Sequence, residues 1–156
     1  MKRSISVLAI LFLTLTAAGR VAAQSDPFVG AWKLDVAKSK YDPGPAPKSQ
    51  TRTWDASGKV TVEGINAAGK PVTYGYPIMK DGKDYPTMGS VPNGADMISS
   101  KKIDANTVEA NFKRAGKHAE TTQFAVSEGG KMLTISAKGT NPDGSPFNNV
   151  TVWEKQ

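Results

Sequence analysis

The chain carries a single histidine and no cysteine, which narrows the chemistry open to it from the outset. His118 stands two residues before Glu120 and four before Thr122. In a strand register that turns Phe124 and Val126 inward, these three polar side chains share the inner face. An imidazole beside a carboxylate and a hydroxyl is material for proton transfer, as in an isomerase- or cyclase-like site, or for metal or haem ligation. The alternative is that His118, directly after the Gly116-Lys117 turn, sits exposed at a rim.

Other reaction classes lack their parts. Serine hydrolysis needs a base beside a nucleophile, and no G-x-S-x-G segment accompanies the histidine. Glu63, Glu109 and Glu120 have no context that marks two of them as a glycosidase pair. The aspartates at 81, 84, 96 and 143 match no Asp-x-Asp-x-Asp-Gly calcium loop and read as turn residues. Thiol catalysis and cysteine-metal sites are excluded outright. The expectation is a protein that is not an enzyme and uses no metal and no cofactor.

Binding is the better prospect. Trp54, Tyr74, Tyr76, Phe112 and Trp153 supply aromatic surface for an apolar partner, with two hydroxyls to orient it. Arg52 shares a face with Trp54 and is the candidate partner for an anionic head group. The expected ligand-binding set is therefore Arg52, Trp54, Tyr74, Tyr76, Phe112, His118, Glu120 and Trp153. The competing reading is that the aromatics are packed core and Arg52 points outward.

The elements that must position these residues are strands. Ser57-Gly58-Lys59, Ala68-Gly69-Lys70, Asp81-Gly82-Lys83, Ala115-Gly116-Lys117 and Gly129-Gly130-Lys131 each pair a turn glycine with a lysine suited to an exposed strand start. Between them, segments such as Val60-Thr61-Val62, Val72 to Ile78, Thr107 to Phe112 and Leu133 to Ala137 alternate with period two. Adding Phe28 to Leu34, Gln50 to Trp54, Asp96 to Ile103, His118 to Val126 and Asn149 to Glu154 gives about nine strands joined by hairpins. Such a meander hides its edges best by pairing its last strand with its first. The expected fold is an all-β, antiparallel up-and-down barrel of about 8 to 10 strands, a size that is either filled or holds one small ligand.

Two stretches break the rhythm. Pro43, Pro45 and Pro47 forbid helix or central strand and require an extended connection. Residues 81 to 95, with Pro86, Gly89, Pro92 and Gly94, form the longest loop, either a lid or a plain surface crossing.

Residues 1–23 read as a cleavable secretory signal. Lys2-Arg3 forms the basic start, Ile5 to Ala18 the apolar stretch, and Val21-Ala22-Ala23 the small-residue cleavage site. The apolar stretch falls short of the roughly 20 residues of a membrane-spanning helix. Residues 24–156 then form one domain, periplasmic or secreted, with no stable membrane anchor after cleavage. Losing Lys2, Arg3 and Arg20 lowers the formal charge from +6 to +3, and the remaining lysines form no stripe, so nucleic acid is not an expected partner.

Phe28-Val29-Gly30-Ala31-Trp32-Lys33-Leu34 resembles the F-x-G-x-W-K-L opening of the fatty-acid-binding proteins and the G-x-W of lipocalins, and Val152-Trp153-Glu154-Lys155 resembles the closing strand of that superfamily. With the meander between them, the chain resembles a bacterial lipocalin-like, or calycin-type, domain. The resemblance implies closure of last strand on first, with Gly30 and Trp32 structural at one end. It also implies a cavity for a small hydrophobic or amphipathic ligand. The chain departs from that family in two places. Its proline run stands where a helix-pair lid is found, and Thr151 and Trp153 stand where an Arg-x-Tyr pair holds the ligand carboxylate. A filled structural or protein-interaction barrel working through its loops is the alternative function.

Overall fold

The computed structural model describes residues 25–156, so the signal segment expected at 1–23 lies outside the described residues. The described chain is all strand and loop. The nine strands expected from the alternation are β1 (Gly30–Lys40), β2 (Ser49–Trp54), β3 (Lys59–Ile65), β4 (Pro71–Pro77), β7 (Met97–Lys102), β8 (Thr107–Arg114), β9 (Lys117–Val126), β10 (Met132–Thr140) and β11 (Pro146–Lys155). Two additional strands of two residues each, β5 (Tyr85–Pro86) and β6 (Met88–Gly89), lie in the long loop.

The sheet runs β5-β7-β8-β9-β10-β11-β1-β2-β3-β4-β6, antiparallel throughout. Last strand meets first as expected: Trp32 pairs with Lys155 and Leu34 with Trp153. The closure is incomplete elsewhere. Strands β4 and β7 do not pair with each other, and the loop between them covers the seam, with β6 on Tyr74 and Gly75 and β5 on Met97 and Ile98.

Gly30 and Trp32 anchor one end. Trp32 is fully buried, its indole N–H donates to the Phe28 carbonyl at 2.8 Å, and the Lys155 ammonium lies 4.9 Å over its ring. Gly30 has φ +138°, a backbone conformation that favours glycine, while the Lys155 side chain that a Cβ there would meet at 2.9 Å is free to move aside.

The interior divides along the barrel axis. At the Trp32 end, Trp54 packs tilted against Phe28 and edge to face with Phe124, ring centroids 4.8 Å and 5.6 Å apart, among the fully buried Val60, Val108 and Leu133. This half is dry core, and burial of such large side chains contributes on the order of 2 kcal/mol each. The other half, toward the proline run and the hairpin tips at Asn66 and Asn141, is hollow.

Candidate functional site

The hollow half holds a cavity of about 400 Å³. Six of the eight expected ligand-binding residues face it: Arg52, Tyr74, Tyr76, Phe112, Glu120 and Trp153. The strands explain the grouping. Arg52 on β2 pairs with Val62, which pairs with Tyr74 on β4, while Tyr76 lies one inward step along the same strand. Across the cavity Phe112 pairs with Glu120, and the Tyr76 and Phe112 rings meet edge to face at 5.1 Å.

Two expected residues lie elsewhere. Trp54 follows Arg52 on the same face, but two residues of strand carry it about 7 Å further along the axis, into the packed end. There it packs against Phe28 and Phe124 and borders no part of the cavity. His118 is exposed, with Nε2 2.9 Å from the Thr121 hydroxyl on the outside of the barrel. The cause is a bulge: Phe112 pairs with Glu120, yet the next pair is Lys113 with His118, leaving Ala119 as an extra residue. One inserted residue reverses the alternation, so His118 is separated from Glu120 and Thr122, and no imidazole–carboxylate pair forms.

Arg52 is the organising feature. Its side chain is 5% exposed, and Nη1 donates to the Tyr76 hydroxyl oxygen. The guanidinium centre lies 4.7 Å from the Trp153 ring, 5.7 Å from Tyr76 and 5.8 Å from Phe124. Three aromatic faces around a desolvated cation are a favourable setting, but no carboxylate among the described residues forms an ion pair with Arg52, and its buried Nε has no hydrogen-bond partner. The barrel thus holds an incompletely satisfied cation at the floor of an apolar hollow.

Burial pushes the Tyr76 phenol above its usual range, against the opposing pull of Arg52, and raises Tyr74 in the same way. Tyr41, at the mouth, is pushed up by burial to about 12. These hydroxyls stay neutral through the physiological range.

A second polar group stands on the opposite wall. Glu120 Oε1 accepts from the Thr122 hydroxyl and Oε2 from the Asn93 side-chain amide. Burial raises its pKa, while those two hydrogen bonds and the charge of Arg52 pull it down by less.

Several lining residues were not in the expected set. The proline run is extended, as its composition requires, and Tyr41, Pro43, Pro45 and Pro47 make one wall. Val91, Pro92 and Asn93 of the long loop make another, so that this loop is wall rather than plain surface crossing. The segment is pinned: Asn93 Oδ1 accepts from the Ala95 amide at 2.9 Å, and Arg114 donates to the carbonyls of Asn93, Thr140 and Asn141 at 2.5, 3.3 and 3.2 Å. An Asn two residues before an apolar alanine in a loop carries no sequence signal for this role. Thr151 and Trp153 line the cavity without a charge, the Thr151 hydroxyl accepting from the Trp153 indole N–H at 2.8 Å. No cluster of three or more metal-ligating side chains occurs among the described residues.

No family model matches the sequence, and no curated protein matches it. Solved structures do. The chain is similar to As-p18, an extracellular fatty acid binding protein, at 14% identity and TM-score 0.51, over 84% of this chain and 97% of that one. It is also similar to zebrafish ileal bile acid-binding protein complexed with cholic acid, at 11% identity and TM-score 0.48, over 83% and 99%. At these identities the likeness is one of fold: this chain has an all-β, nearly closed antiparallel barrel similar to that of As-p18.

Proposed function

We propose that this protein is an exported carrier that binds a small apolar or amphipathic molecule non-covalently inside its barrel. The observation that carries the reading is the hollow half itself, about 400 Å³ walled by aromatics and prolines with the cation of Arg52 at its floor. That volume lies within the range of small-molecule sites, and apolar walls with few polar groups are their usual composition. The fold it shares with As-p18, itself described as a fatty acid binding protein, supports the same reading. Export rests on the signal features of residues 1–23 and makes the carrier periplasmic or secreted.

Affinity comes from burial of the ligand's apolar part, and Arg52 takes its anionic group. The test is displacement of a fluorescent anionic amphiphile, 1-anilinonaphthalene-8-sulfonate, by decanoate from protein purified without detergent. Saturable uptake and displacement are expected. Absence of both overturns the carrier reading and favours a structural barrel working through its loops, a reading supported by the packed Phe28-Trp54-Phe124 half.

A further inference from the structure

The cavity has two polar poles, and the resting protein leaves both with unused capacity. Among the described residues, Arg52 Nε has no hydrogen-bond partner and its guanidinium no ion pair. Glu120, on the facing wall, is half-buried and lines the same hollow. Its two known partners both donate, one to each oxygen, and both come from the protein side: Thr122 from its own strand and Asn93 from the loop. A carboxylate has about four acceptor positions, so roughly two remain for whatever fills the hollow. No lysine or arginine among the described residues forms an ion pair with it.

The surroundings hold Glu120 in this attitude. Asn93 is itself fixed through its side-chain oxygen and its carbonyl, by Ala95 and Arg114. Its amide is therefore committed to Glu120. A carboxylate kept in an apolar hollow, against the cost of desolvation, is oriented toward the ligand space rather than toward water.

We propose that Glu120 is the second recognition point of the carrier, accepting a hydrogen bond from an O–H or N–H donor on a ligand whose anionic group sits on Arg52. The ligand class is then an amphiphile bearing both an acid group and a hydroxyl or amine, rather than a plain fatty acid. This inference rests on the carrier reading above. A neutral or cationic donor at Glu120 also offsets the burial that disfavours its charged form.

The experiment titrates the purified protein with decanoate, 3-hydroxydecanoate and 3-aminodecanoate, each competing with 1-anilinonaphthalene-8-sulfonate. The wild-type protein should bind the hydroxy or the amino acid about tenfold more tightly than decanoate, the worth of one hydrogen bond to a charged group. Whichever is preferred identifies the donor. Glu120→Ala should bring the ratio to about one, because the donor on the ligand then has no acceptor to distinguish it. Should Glu120→Ala fail to fold for want of Asn93's acceptor, Glu120→Gln decides. It keeps an acceptor for Asn93 but drops the charge, and should cut the preference several-fold. Equal affinities for all three acids in the wild-type protein, or a preference that survives both variants, overturns the role of Glu120 and leaves the carrier reading intact. No displacement by any acid removes the carrier reading itself.

Discussion

Arg52 lies over the Trp153 ring across the β1 strand, the guanidinium centre 4.7 Å from the ring centroid, with no ion pair to an acidic side chain among the described residues. The last strand thus contributes an aromatic platform, and the cation comes from β2. An unpaired cation in this place weakens the empty fold and favours an anionic occupant. Arg52→Met should therefore lower affinity for decanoate at least about tenfold while leaving the melting temperature unchanged or higher. Dye displacement and thermal unfolding read the two halves of this expectation separately.

Trp54 belongs to stability, not to the cavity. It packs between Phe28 and Phe124 at 1% exposure, so Trp54→Ala should cost about 3–5 kcal/mol in urea unfolding. Tyr74→Ala, at the cavity wall, should weaken uptake with the fold retained. Equal losses of stability in the two variants would contradict the division of the interior.

Glu120 gives stability a pH dependence of defined sign. Its folded pKa is raised above the ordinary 4.5 by burial, so the folded state holds its proton more tightly than the unfolded chain. The penalty is absent below the unfolded pKa, and stability falls as pH rises through the window between the unfolded and folded values. Glu120→Gln should flatten that decline in a series of thermal melts from acid to neutral pH, relative to the wild-type protein.

Gly139 pairs with Glu120, and a Cβ at 139 would lie 2.2 Å from the Ala119 carbonyl oxygen and 2.8 Å from Glu120 Cα. Gly139→Ala should destabilise the barrel by about 1–3 kcal/mol, as overpacking does. Because the clash falls on the bulge, it should also reduce any hydroxy-acid preference, measured by the same dye competition.

The meander was legible because hairpin turns and two-residue alternation are local, and each expected strand corresponds to a strand of the barrel. So was the extended course of the proline run, but not its place in the cavity wall. What escaped the sequence has a common cause in positions along and between strands. Ala119 is as small and apolar as any strand residue, so nothing announced its insertion, although the exposure of His118 that follows from it agrees with the rim position its Gly-Lys turn suggests. Arg52 and Trp54 looked equivalent because they share a face; their different depth is fixed only by where Phe28 folds back to seal the end. Asn93 is brought to Glu120 by a loop whose path depends on the seam it covers.

That seam has a consequence for behaviour at high concentration. Strands β4 and β7 each present an outer edge of backbone donors and acceptors, and exposed edges are templates for pairing with another chain. The segments at 85–86 and 88–89 occupy part of those edges and are too short to recruit a strand of their own. Shortening this loop would therefore unmask two sticky borders, and the first symptom would be loss of solubility through edge-to-edge aggregation.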